Sequence, residues 1–346
     1  MTAPLRVHDN RVPVYYAGGE RITAFRSGTA GGVTGPEDWV GSLCRLPAAI
    51  LPPGHPPDTG VSPTAAGPLD ALVAADPEGW LGGPLARAFG GDPGLLVKLL
   101  DAGERLPVHC HPTRDFARRH LGSLFGKTEG WIVLDAAPGA TVWLGMRDTV
   151  TRDQLQGWIA AQDTAAMLAA MNALTVEPGQ VLYVPAGLPH AIGPGVLVTE
   201  LQEPTSFSVL ADHTAFGVDA SAATLGLGWD LALSCFDLGG YAGRLDALRP
   251  APRTLRAGLR SLFGPEADPF FRAWEAVGDV GLPEPGFAVV VVTGGAGELC
   301  WDGGALPVAR GDTLVAPAAA GPLSFRGEVR AIVCLPPEIT DPRREG

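Results

Sequence analysis

One phrase occurs twice in this chain. Val176 to Ala186 reads VEPGQVLYVPA and Val308 to Ala318 reads VARGDTLVAPA, so both follow V-x-x-G-x-x-L-x-x-P-A. A strand-length phrase, entered through Gly and closed by Pro-Ala, requires two related β-units; two copies make a duplication and not a solenoid. Gly (47) and Pro (33) together form nearly a quarter of the 346 residues and are spread along the chain, which favours many short strands over long helices. The expected class is mainly β.

The two units are not chemically equal. Four residues after the first phrase comes His190, whereas the matching position after the second is Pro322, and no histidine follows it. The first unit also holds LPVHCHPTRDFARRHLGSLFGKTEGW, Leu106 to Trp131, with His109 and His111 one residue apart and Glu129 eighteen residues after the second. On a strand alternate side chains share a face, so both imidazoles point one way and Cys110 the other. Two His and a Glu on one face, with a distant His brought back by the Pro/Gly turn before His190, read as a metal site. Such N and O donors suit Zn, Mn, Fe or Ni rather than Ca or Mg, and without thiolates they do not form a closed structural zinc site.

Only Lys98 and Lys127 are lysines, against 23 arginines, so Lys127 stands out as a position needing an ammonium. It lies two residues before Glu129 and shares its face on an extended chain. His120 and His55 read as solvated, and Trp39, Trp131 and Cys110 as packed residues.

Along the chain, Leu69–Ala75 and Trp80–Phe89 have helical spacing and LLVKLLDA, Leu95 to Ala102, reads as an apolar strand. GPEDWVGS, 35–42, reads as a turn. RDFARRHLG is a short helix, and an Ala-rich amphipathic helix over 152–174 is expected to cover the mouth of the first unit. LGLGWDLALSCF, TLRAGLRSLFG and FFRAWEAV read as further helix. The resulting division is a metal-bearing unit over 1–212, a helical segment over 213–282, and a second, metal-free unit over 283–340.

The net charge of −12 has no clustered basic stripe, which argues against nucleic acid and anionic membrane surfaces as partners and for a small molecule. Five cysteines, odd in number and without CxxC spacing, read as reduced intracellular thiols. No run approaches the roughly 18 to 20 apolar residues of a membrane span, so a cytoplasmic location is expected.

LLVKLLDAGERLPVHCHP, GKTEGWIVLDA and VLYVPAGLPHAI…VLVTELQEP resemble, in order, class I mannose-6-phosphate isomerases of the cupin superfamily over about Leu95 to Pro204. The resemblance implies two cupin (jelly-roll-like) β-barrels with helical insertions, one holding a divalent metal, commonly zinc, at the positions of His109, His111, Glu129 and His190. It implies an aldose–ketose isomerase, such as one interconverting mannose 6-phosphate and fructose 6-phosphate or a related sugar. For that reaction the residues themselves offer Lys127 to steady the enediolate and Asp212 or His213, in the segment after the His190 strand pair, as candidate bases. Two departures matter. The family usually has Gln where His109 stands, and an acidic residue and an arginine where this chain reads TSFSVLADH after ELQEP. Arg105, Arg147 or Arg244 would then have to meet a phosphate. Three His and one Glu also occur in iron oxygenase cupins, and the missing arginine fits a sugar-binding cupin without turnover; both stand as rival readings.

Overall fold

The computed structural model describes residues 3–26, 35–48 and 50–339. The chain forms two β-units with matching strand order. In the first, a six-stranded antiparallel sheet runs Val181–Val184, Glu129–Ala136, Val196–Gln202, Leu96–Ala102, Glu37–Val40, Arg11–Val12. In the second, six strands of a nine-stranded sheet run Thr313–Ala316, Ala288–Trp301, Ser324–Leu335, Arg272–Val277, Leu259–Ser261, Arg253–Arg256. The expected mainly β class holds.

Alternation along each strand gives each sheet two apolar faces. In the first unit Val97, Leu99, Leu197 and Leu201 point outward and pack with Val289, Val291, Val315 and Ile332 of the second, so the units are joined back to back through one core. The opposite face, with Leu100, Val133, Leu182 and Val198, packs on Val142, Leu144 and Ile192 of a five-stranded sheet. That sheet runs Met171–Thr175, Thr141–Met146, His190–Ile192, His109–Cys110, Val209–Leu210. The functional site lies between these two sheets.

Several elements differ from their expectation. The stretch 253–277, expected to be helical, supplies three strands of the second sheet. Its apolar spacing is compatible with a helix, but Gly258 takes φ +74 and closes a hairpin between the first two of them. The second sheet thus begins at Arg253 and not at 283, and Leu5–Val7 joins it by pairing with Thr313–Val315. Only short helices and turns occupy 213–252.

The 152–174 segment is two helices, Arg152–Ala161 and Thr164–Ala170, followed by the strand Met171–Thr175. Gln162 breaks the first helix with φ +49 while its amide donates to the Ile159 carbonyl, and the Asp163 carboxylate caps the second by accepting from Ala166 N. The apolar stripe Leu155, Ile159 and Met167 packs on Cys110, Met146 and Ala191, the outer face of the five-stranded sheet. An amphipathic helix buries its stripe where apolar surface is offered, and that surface is the back of this sheet rather than the mouth of the unit.

Glu37–Val40 is a strand, not a turn, with Trp39 buried in it as expected. His55 and His120 are exposed, and all five cysteines are free thiols. Among the described residues no helix is long and apolar enough to cross a membrane.

Candidate metal centre

The site begins with strand pairing. His190 lies directly opposite His109 in an antiparallel pair, so two residues 81 positions apart present imidazoles from one face. His111 follows on the same face, and the three ring centroids are 4.1 to 4.9 Å apart. All three are buried, and their free ligand atoms lie within 4.8 Å of one another.

The backbone fixes each tautomer. Nδ1–H of His109, His111 and His190 donates to the carbonyls of Pro107, Phe207 and Leu188 at 2.8, 2.7 and 2.8 Å. Every Nε2 is therefore a lone pair aimed at one point, the arrangement by which protein ligands are oriented towards a metal. Burial, with the neighbouring imidazoles, holds His109 well below its ordinary pKa. Burial and the Lys127 ammonium push His111 down to about 3, and burial lowers His190. Neutral imidazoles are the ligating form.

Glu129 enters from the facing sheet. Its Oε1 lies 2.9 Å from His111 Nε2, and its Oε2 3.7 Å from His190 Nε2, beyond hydrogen-bond reach. Because His111 already donates through Nδ1, the 2.9 Å contact brings two lone pairs together with no proton between them. Lys127 relieves part of this: Nζ donates to Glu129 Oε1 at 2.9 Å and to His111 Nε2 at 3.2 Å. Burial by itself would raise Glu129, but the Lys127 charge, together with the neighbouring His111 and His190, keeps the carboxyl well below its usual range. His190 Nε2 remains buried without any hydrogen-bond partner. An orphaned buried acceptor beside two opposed lone pairs is the donor set a cation would satisfy, so His109, His111, His190 and Glu129 suit a divalent metal.

A cluster of charges lies next to the four. Lys98 Nζ bridges Glu37 Oε2 at 3.1 Å and Glu200 Oε2 at 3.2 Å, all three side chains nearly fully buried. Trp131 Nε1 is shared between Glu129 Oε2 at 3.2 Å and Glu200 Oε1 at 3.1 Å, while Tyr16 and Trp39 donate to Glu37. Burial would raise Glu37, but Lys98 and these donors hold it low. Glu200 is pushed up to about 7, by burial first and then by the Glu129 charge. Tyr15, Leu100, Leu106, Ile192 and Ser208 also line the cavity, whose volume is about 30 Å³. Glu37, Lys98 and Glu200 escaped the reading of the sequence. The available signal was a lone charge inside an apolar strand, LLVKLL or VLVTELQ, which needs a buried partner.

Asp212 and His213 do not line this cavity. The Asp212 carboxylate accepts from Arg105 Nη2 at 2.6 Å, from Thr164 Oγ1 at 3.2 Å and from Val108 N, next to His109. It braces the His109 strand. His213 donates to the Val218 carbonyl and opens onto a separate cavity of about 320 Å³ beside Trp229. Trp131 is buried, as expected, and adds the two hydrogen bonds above; Cys110 is buried on the opposite face.

Comparison with protein-family models gives no match. A mannose-6-phosphate isomerase of Streptococcus mutans is 38% identical over 136 residues, 39% of this chain and 40% of that protein. The aligned stretch thus spans about two fifths of that relative. The crystal structure of the Bacillus subtilis mannose 6-phosphate isomerase superposes with TM-score 0.71 over 96% of this chain and 99% of that one, at 21% identity. A mannose 6-phosphate isomerase bound with zinc and yttrium superposes with TM-score 0.73 over 97% and 100%, at 13% identity. Over those 136 residues the chain is similar in sequence to mannose-6-phosphate isomerases. Its fold is theirs over nearly the whole length, and a sequence match above one third in identity covers about two fifths of it.

Proposed function

We propose that this protein is a cytoplasmic, metal-dependent aldose–ketose isomerase acting on mannose 6-phosphate and fructose 6-phosphate or a related sugar. The observation carrying the reading is the orphaned His190 Nε2 beside the opposed lone pairs of His111 and Glu129, in a chain related to mannose-6-phosphate isomerases. His109, His111, Glu129 and His190 would hold the ion, and zinc is the best fit to three neutral imidazoles and one carboxylate. When bound, it would supply electrophilic polarisation of the sugar oxygens at C1 and C2.

The rest falls to the chain's own groups. Lys127, held at Glu129 and His111, would place its positive charge where the enediolate oxygen develops. Glu200 suits the proton carrier between C1 and C2: it lines the cavity, and a carboxyl raised to about 7 both takes and returns a proton near neutral pH. We therefore assign the base role to Glu200 in place of Asp212 or His213, and give Asp212 the positioning of the His109 strand. The buried walls would exclude water from the enediol.

The test is an isomerisation assay on metal-analysed protein with mannose 6-phosphate and free mannose in parallel. Conversion of either sugar in proportion to bound metal is the expected result. Iron-dependent oxygen uptake, or sugar binding without conversion at full metal occupancy, would replace this reading by an oxygenase or a binding protein.

A further inference from the structure

Access to the metal cavity turns on one side chain. The cavity measures about 30 Å³, room for a water or two, whereas small-molecule sites usually offer about 300 Å³ or more. A divalent ion at the histidines would take part of even that space. A sugar therefore enters only if a wall moves. Among the lining residues Tyr15 and Ser208 alone are part-exposed and every other is buried, so the boundary with solvent runs between these two. The Tyr15 hydroxyl reaches Ser208 across it.

The two sides of that boundary are held differently. Ser208 sits against the ligand strands: its neighbour Val209 pairs with Cys110, the Phe207 carbonyl accepts from His111 Nδ1 at 2.7 Å, and Ser208 Oγ lies 3.4 Å from the same nitrogen. Displacing it would disturb a metal ligand. Tyr15 lies on a strap, 13–16, between fixed ends. Val12 pairs with Glu37, while Ala17 gives its N–H to the Glu104 carboxylate at 2.6 Å and accepts the Gly103 N–H on its carbonyl at 3.0 Å. Among the described residues, no backbone hydrogen bond holds 13–16. Segments without such bonds open locally at small cost. Side chains separate the two tyrosines of the strap. Tyr16 is buried and donates to Glu37 Oε1 at 2.5 Å, whereas the Tyr15 ring meets Tyr16 and Phe216 edge to face, with centroids 5.7 and 6.4 Å away.

We infer that Tyr15 is the gate of the metal cavity: its ring closes the cavity from solvent, and a sugar reaches the ligands when that ring swings aside while Tyr16 stays pinned to Glu37. The inference rests on the isomerase reading for the sugar; closure of the cavity does not depend on it. A gate is an equilibrium between closed and open forms. An open form in about 0.1–10% of molecules is the usual size of such a minor state, and the apparent affinity for the sugar is reduced by that fraction.

The test measures access without using activity. The metal-free full chain is treated with diethyl pyrocarbonate, which acylates a neutral imidazole, and the rate at His190 is read by peptide mass spectrometry against the exposed His55 and His120 as internal references. In the unaltered chain His190 should react far more slowly than the references. Tyr15→Ala should raise the His190 rate about tenfold or more, the reciprocal of the open fraction, with the reference rates unchanged because the fold is intact. Tyr15→Phe, which keeps the ring, should leave the His190 rate as it was. His190 reacting as fast as His55 in the unaltered chain, or equally fast with and without the Tyr15 ring, would overturn the gate. On the zinc-loaded chain, KM for whichever of mannose and mannose 6-phosphate is converted should fall in Tyr15→Ala by the same factor. A KM unchanged or raised would confine the gate to small reagents and overturn its role for the sugar. Conversion of neither sugar by the unaltered chain would sink the isomerase reading, and the His190 rates would still decide the gate.

Discussion

The two β-units share a scaffold and differ in what fills it. The turn of the repeated phrase is the same in both: Gly179 and Gly311 take φ +89 and +93, and each donates to a strand carbonyl, Val133 at 2.8 Å and Val292 at 2.9 Å. The reverse bonds, Val133 N to Gln180 O and Val292 N to Asp312 O, are both 2.9 Å. Strand register extends the match. Trp131 pairs with Leu182 and Glu200, and Glu200 with Lys98; in the second unit Val290 pairs with Leu314 and Val333, and Val333 with Trp274. Glu129, opposite Val184, is matched by Ala288, opposite Ala316. Positions that are Glu129, Trp131, Glu200 and Lys98 in one unit are thus Ala288, Val290, Val333 and Trp274 in the other, all within an apolar core. The scaffold does not require the charges. A buried ionic cluster is commonly no more stable than apolar packing of the same volume, so its retention on one side points to chemistry.

The largest test of this contrast removes a ligand. His190→Ala should abolish bound metal and lower isomerase activity to background, read by metal analysis and turnover, whereas Pro322→His in the second unit should gain no metal, having no partner imidazoles. Full turnover with metal retained in His190→Ala would break the comparison.

Next comes the ionic cluster. Lys98→Met leaves two carboxylates buried and uncompensated, and should destabilise the protein by roughly 3–5 kcal/mol in denaturant titrations. Replacing Glu37 and Glu200 as well by apolar residues, as the second unit does, should restore most of that loss.

Glu200 sharpens the difference through pH. A base that ionises at about 7 must be deprotonated to act, so kcat/KM should rise with pH through about 7, and Glu200→Gln should lose that limb together with most of the activity. Folding stability moves the other way. The folded carboxyl lies above its unfolded value, so its contribution is complete below the unfolded pKa and is lost as pH rises through about 7. Val333, its counterpart, titrates nothing.

The smallest effect concerns the shared turn. Gly179→Ala meets no atom within 4 Å and should cost only the left-handed backbone strain, about 1–2 kcal/mol. Gly311→Ala would bring a methyl to 2.5 Å from the Phe25 carbonyl and should cost more, read as a lower thermal midpoint.

Much of this was legible in the chain. The echo gave the duplication, and strand alternation put His109 and His111 on one face, since both are local properties of backbone geometry. Spacing and the Pro/Gly turn brought in Glu129 and His190, the scarcity of lysine marked Lys127, and the resemblance implied the same four ligands. The helical reading of 253–277 failed because short apolar runs fit both periods until a partner strand selects one, here Ser324–Leu335. Asp212 and His213 were singled out by type and nearness in sequence, but which carboxylate faces the cavity depends on the strand that carries it.

The sequence by itself determined the two units, the histidines of one and their absence from the other, because these are carried by residues and short spacings. Only the tertiary structure decided that Lys98, Glu37 and Glu200 form one buried cluster beside the ligands. It alone committed the nearby arginines to Asp212 and Glu203 instead of the cavity. Those contacts join residues about 60 to 107 positions apart, and burial sets both their strength and the pKa of Glu200.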